Sequence, residues 1–184
     1  MSELTTPTAA ATASEGTEDS RVSDTTPVGA AVQYIKAGLG VVALRPHTKR
    51  PMKPDWQTPA GAVTDTSGAF KLTGGLGLHH LASRTCAVDI DDWESCSRWF
   101  SERGINMEQL FMDENAVQIK SGREARGKLL YRLPDGVEWL PYVKTAQGKL
   151  ELRSANSSEQ SQQDVLPPSI HPDTGIAYEW LGDW

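Results

Sequence analysis

Short apolar or alternating runs punctuate the chain, each stopped within a few residues by glycine, proline or a polar cluster. They read VVALRP, LGLH, CAVDI, AVQIKSG, GKLLYRL, GKLELRS and DVLPP. Runs of this length suit β-strands. Only two stretches carry clear helical spacing. VGAAVQYIKAGL places Val28, Ala31, Val32, Ile35 and Leu39 at helical intervals before Gly40 ends the pattern. DWESCSRWFSERG gathers Trp93, Cys96, Trp99 and Phe100 on one side, with Asp91 or Asp92 as N-cap and Gly104 as the stop. Strands therefore outnumber helices and do not alternate with them, which predicts an α+β fold with a mostly antiparallel or mixed sheet.

A length of 184 residues suits one domain. Residues 1–26 hold no aromatic side chain and are dominated by Thr, Ser, Ala and acids, so they are expected to form a disordered acidic leader ahead of a domain spanning 27–184. That leader lacks the basic start and apolar run of a signal peptide. No apolar stretch reaches the roughly 18 residues a membrane span needs. The net charge of −6 is uneven: the leader holds five acids against Arg21, leaving 19 acids and 17 bases elsewhere. Lys120, Arg123, Arg126, Lys128 and Arg132 fall within 13 residues, opposed only by Glu124, and form a candidate anion-binding stripe. With only Cys86 and Cys96, a disulfide framework or cysteine-rich zinc site is not expected, and a reducing, cytoplasmic compartment fits.

The stretch CAVDIDDWE puts three carboxylates behind an apolar run. In an extended strand Asp89 and Asp91 share one face, about 7 Å apart, while Val88 and Ile90 share the other. Two such acids suit hard divalent cations such as Mg²⁺ and Mn²⁺, although the same spacing also describes an acidic turn. Asp92 fits a helix cap. A further acid for a two-metal centre is Glu151, flanked by Leu150 and Leu152, or else a solvated edge-strand residue; Asp164 is a weaker competitor. KSGREARGK joins glycine-supplied backbone access to four bases and suits a triphosphate, or is an ordinary basic hairpin. It is not a Walker A loop, because Leu129 follows Lys128 where Ser or Thr is required. Lys49, Arg50 and Lys53, with Trp56, occupy a proline-rich loop that is either a contact loop for phosphate or base, or simply exposed. No role is assigned to His79 or His80.

Taken in order, the blocks GLGVVALRPHTKRPMKPDW, GLGLHHLASRTCAVDIDDWE, IKSGREARGKLLYRLP and DVLPPSIHPDTGIAYEWL resemble the bifunctional primase/polymerase domain at the N-terminus of phage and plasmid replication proteins, a branch of the archaeo-eukaryotic primase superfamily. The PPSxHPxTGxxYxW pattern is the most specific of these blocks. The resemblance implies an archaeo-eukaryotic primase-type domain with an RRM-like sheet flanked by helices and carrying the acids. It implies Asp89 and Asp91 as catalytic metal ligands and Glu151 at the third acidic position, where Asp is commoner. Two Mg²⁺ or Mn²⁺ ions would be the cofactors. The family's second motif carries a histidine that contacts nucleotide phosphates, and Lys128 falls at that position. Lysine keeps a charge that neutralises phosphate but cannot act as a neutral imidazole.

On this reading Ser121, Arg123, Arg126 and Lys128 bind the nucleotide. Ser169 and His171 border the nucleotide or template site, or else His171 only shapes its proline-bounded turn. Lys49, Arg50 and Lys53 would meet DNA, and Trp56 would offer a stacking surface or sit in the core. Implied partners are single-stranded DNA template, primer, NTP or dNTP, and a helicase domain in a longer replication protein working in the host bacterial cytoplasm. The activity implied is DNA primase and/or polymerase. Two alternatives remain open: a catalytically weakened DNA-binding or scaffolding domain of a replicative helicase, favoured by Lys128, and a sugar-nucleotide transferase using the DxD.

Overall fold

A computed structural model of the chain describes residues 26–139 and 142–184. The expected leader, residues 1–25 of it, lies outside the described residues. Thr26, expected as its last residue, instead caps the first helix: its hydroxyl accepts from the Gly29 amide at 3.1 Å. Helix α1 (Pro27–Lys36) begins there with proline at its start, where the missing N–H costs nothing. Its buried face is Ala30, Ala31, Tyr34 and Ile35, one step round from the expected stripe.

The left-handed exit from α1 falls on Gly38, with φ +81°, rather than on Gly40. Gly40 is required for closeness instead. A Cβ there would stand 2.5 Å from Ala82 Cβ, and its amide donates to Ser83 Oγ at 2.9 Å. Strands β1 (Val41–Leu44) and β2 (Gly75–His79) follow, then a one-turn helix α2 (His80–Ser83) and β3 (Thr85–Ile90). Helix α3 (Trp93–Ser101) is capped by Asp92, whose carboxylate accepts from the Ser95 amide at 2.9 Å. Helix α4 (Met107–Met112) leads to β4 (Val117–Lys120), β5 (Gly127–Arg132), β6 (Val143–Thr145), β7 (Leu150–Arg153), β8 (Gln163–Leu166) and β9 (Glu179–Leu181).

The strands form two antiparallel sheets, one in the order β1-β2-β8 and one in the order β6-β7-β3-β5-β4-β9. The α+β class expected from the strand-length runs is what the molecule has. One expectation needs refining. Helices α3 and α4 cover one face of the larger sheet, but the other face meets the smaller sheet and α1. Two separate cores follow. Ile90, Cys96, Phe100, Met107 and Leu150 fill the helical side, with Trp93, Trp99 and Phe111 against them. Ala87, Ile119 and Leu130 of the large sheet pack with Leu76, Leu78 and Leu166 of the small sheet and with Ala31 and Tyr34 of α1. Tyr34 ties the parts together: its hydroxyl donates to the Pro167 carbonyl at 2.7 Å and accepts from Trp180 Nε1 at 2.8 Å. The period-2 alternation of β3 thus sends Val88 and Ile90 to the helices, and Ala87 and Asp89 to the cleft between sheets.

Candidate active site

Asp89 stands opposite Glu151 of β7 and opposite Lys128 of β5 in the antiparallel register. Residues directly opposite in such a pair point to the same face, so the three side chains form a row across the large sheet. Asp164 enters from β8 of the small sheet and is wholly buried. Lys128 Nζ pairs with Asp164 and lies 3.5 Å from Asp89. The Arg153 guanidinium reaches Glu151 at 2.8 Å and both Asp89 and Asp164 at 3.2 Å. Lys144 pairs with Glu151 at 2.6 Å, and Arg126 pairs with Asp91. Behind Asp164, His80 Nε2 lies 3.0 Å from its second oxygen, while His80 Nδ1 is 2.9 Å from Thr85 Oγ1. The acids are therefore matched by bases at every point.

This charge balance differs among the carboxylates. Burial alone would raise the Asp164 carboxyl, but Lys128, the His80 hydrogen bond and Arg153 together hold it far below the usual carboxylate range. Burial wins at Asp89, and the nearby Asp164 charge adds to it, so its carboxyl is raised despite Lys128 and Arg153. Glu151 is also penalised by burial, yet Lys144 and Arg153 bring it below its ordinary value. Asp89 is thus the carboxylate least satisfied as an anion by the protein itself.

A cavity of about 320 Å³ opens at this end of the cleft. Asp89, Asp91 and Asp164 line it with Arg126, Lys128 and Arg153, and Lys49, Ser121 and Tyr178 complete its polar wall. Of the residues singled out from sequence, Asp89, Asp91, Lys49, Ser121, Arg126 and Lys128 therefore meet in one place. Glu151 is beside Asp89 but not on the cavity wall. Arg123 pairs with Asp173 and is also off the wall. Arg50 and Lys53 are exposed on their loop, and Trp56 is half-buried outside both cores. Ser169 holds backbone: its hydroxyl accepts from the Leu76 amide at 2.7 Å and donates to the Leu76 carbonyl at 3.2 Å. His171 is buried in the turn after it, its ring 5.6 Å from that of Tyr178.

Arg153 and His80 were not anticipated. The first was legible, because it follows Glu151 by two in an alternating strand and so shares its face. Nothing local marks His80, which meets Asp164 only through the pairing of β2 with β8. His79, its neighbour, is structural: its Nε2 lies 3.1 Å from the Trp56 carbonyl and its Nδ1 caps α2 by accepting from the Ala82 amide.

Among the described residues no group of three or more His, Cys, Asp or Glu side chains converges as a ready-made metal site. The donor set nevertheless fits Mg²⁺ or Mn²⁺ of the kind held by one or two carboxylates plus substrate phosphates, since Asp89 and Asp91 bring hard oxygens to one cavity beside phosphate-sized cationic groups. Asp92 is not part of this set. Alanine at Asp92 is expected to remove about 1 kcal/mol of stability through the lost cap, read by urea unfolding.

The family model for the N-terminal domain of bifunctional DNA primase/polymerase matches residues 31–183. The chain belongs to that family. Membership implies activity of the primase/polymerase type, with DNA and nucleotides as substrates. No curated protein matches the chain. The matched span of this prim-pol domain includes every residue on the cavity wall and both sheets. No helix among the described residues is long and apolar enough to cross a membrane.

Proposed function

We propose that this prim-pol domain is a template-directed nucleotidyltransferase, a DNA primase and/or DNA polymerase, working from the cavity between its sheets. The observation that carries this reading is the meeting of Asp89 and Asp91 with Ser121, Arg126 and Lys128 on one wall. Asp89 and Asp91 would hold Mg²⁺ or Mn²⁺, with Glu151 orienting Arg153 beside them. When bound, such ions supply Lewis-acid activation of a 3′-hydroxyl and neutralisation of the departing pyrophosphate. Arg126 and Lys128 pair with carboxylates in the free domain and would exchange these for the triphosphate, the same class of oxyanion partner. Arg153 stands between Asp89 and Asp164 as a shared cation and offsets their mutual repulsion. Arg50 and Lys53, exposed on the loop after β1, would take template backbone.

The setting we infer is phage or plasmid DNA replication in a bacterial cytoplasm, with a helicase as partner. Cys86 and Cys96, both free and buried, agree with a reducing compartment. The test is extension of primed and unprimed single-stranded templates with NTPs or dNTPs, each with Mg²⁺ and with Mn²⁺. Metal-dependent incorporation in any arm supports the reading. A second reading rests on Lys128, which stands at the family's histidine position and is tied into Asp164: a DNA-binding or scaffolding domain with weakened chemistry. Equal DNA binding with and without Mn²⁺, and no incorporation in any arm, would select it.

A further inference from the structure

Asp164 meets Lys128 and Arg153 through one and the same carboxylate oxygen, Oδ1. Its other oxygen, Oδ2, has His80 Nε2 as its one partner among the described residues, at 3.0 Å. Behind His80 stands Thr85, whose hydroxyl lies 2.9 Å from Nδ1. Thr85, His80 and Asp164 are buried, whereas Lys128 ends on the cavity wall. The four side chains therefore form a chain of contacts that starts in the interior and finishes at the site.

The proton positions follow from this order. Asp164 is ionised, so Nε2 is the donor, and a neutral ring with its proton there accepts at Nδ1 from the Thr85 hydroxyl. The terminal torsion of an aspartate is soft. Lys128 and Arg153 hold the same oxygen and leave that rotation open, while the His80 donor on Oδ2 closes it. The path also has a direction in the fold. It leaves β3 at Thr85, crosses α2 and β8, and returns to the large sheet at Lys128 of β5. Thr85 and Asp89 share the cleft face of β3, and Lys128 stands opposite Asp89. The small sheet thus serves as a bracket that sets a cation 3.5 Å from an acid of the large sheet. Replacing a whole buried ion cluster by apolar side chains of equal volume is often neutral or stabilising. Packing alone therefore does not call for His80 and Asp164 at this place, but a fixed ammonium on the wall does.

We propose that His80 is a positioning residue, which locks the Asp164 carboxylate and thereby fixes where the Lys128 ammonium stands on the cavity wall beside Asp89. That this ammonium then meets a nucleotide rests on the nucleotidyltransferase reading, whereas its placement does not. Thr85 belongs to the same device, because it holds the imidazole in the orientation that presents Nε2 to Asp164.

The experiment follows the Lys128 Nζ signal of the full chain, labelled with ¹⁵N-lysine, by NMR, the signal being assigned by its absence from Lys128→Arg. His80→Leu keeps much of the volume and removes the donor, and is expected to shift that signal. His80→Gln, whose side-chain amide can reach the same oxygen, is expected to return it toward the wild-type position. Thr85→Val, which frees the ring without touching Asp164, is expected to shift it by less. Thermal unfolding of each variant identifies the folded ones. In steady-state incorporation His80→Leu is expected to raise the nucleotide KM about 10-fold, the effect of one hydrogen bond to a charged group, with a smaller change in kcat and recovery in His80→Gln. A Lys128 signal that does not move in folded His80→Leu overturns the proposal; if that variant does not fold, the same result in Thr85→Val overturns it. So does a shift that His80→Gln fails to reverse, which would make the ring a filler of space. A wild type that incorporates nothing refutes the proposed activity, and the Lys128 signal still decides the role of His80.

Discussion

Replacing Asp164 with alanine is expected to lower the unfolding free energy by about 3–5 kcal/mol, the cost of removing one partner from a buried charge network. For a domain of this size the midpoint would fall by roughly 6–20 °C. The reason is local. Asp164 is the anion shared by Lys128, Arg153 and His80, and its side chain has no exposed surface. Without it, Lys128 is left with Asp89 alone and must share that carboxylate with Arg153, which keeps Glu151. The pH dependence follows with a definite sign. Because the folded-state carboxyl is held far below its unfolded value, the stability it contributes is complete above about pH 4 and is lost progressively as pH falls below that. Wild type should therefore lose more stability on acidification than Asp164→Asn does. Differential scanning calorimetry of both between pH 7 and acid checks this, and an alanine variant that melts with wild type would show that the network does not hold the sheets together.

Asp89→Asn is expected to do the reverse. Burial raises the Asp89 carboxyl, so its ionised form costs stability near neutral pH, and that cost is relieved only as pH falls through the raised folded value. Removing the charge leaves Lys128 and Arg153 still paired with Asp164. The variant should be as stable as wild type, or more stable by about 0.5–2 kcal/mol, the pattern of a residue kept for chemistry at the expense of the fold. Nucleotide incorporation should fall on the order of 10³-fold, the loss expected when several kcal/mol of metal-assisted charge stabilisation is removed. Melting curves and single-turnover incorporation on one primed template give both readings. Parallel losses of stability and activity would make Asp89 a structural residue.

The contrast between these two aspartates explains what the sequence could and could not reveal. Asp89 and Asp91 were legible because strand periodicity alone puts them on one face, opposite Val88 and Ile90. The strands carrying Lys128 and Glu151 were legible for the same reason, and the register then places both beside Asp89. The importance of Asp164 was not legible, because it depends on β8 joining a second sheet and facing the first across a cleft. Helix α4 is six residues long and β6 is three, too short for either periodicity to stand out. Ser169 and His171 belong to one motif, yet the Ser169 hydroxyl fastens backbone of β2, far away in the chain, while the His171 ring is buried within its own turn.

Metal-dependent nucleotidyl transfer at Asp89 and Asp91, as proposed, is tested most directly by extension of a primed DNA template, with Mn²⁺ or Mg²⁺, by wild type and by the Asp89→Ala, Asp91→Ala double variant at matched folded concentration. Wild type is expected to extend the primer and the double variant is not, although the latter keeps its cooperative unfolding transition. A folded double variant that extends the primer at the wild-type rate would contradict it.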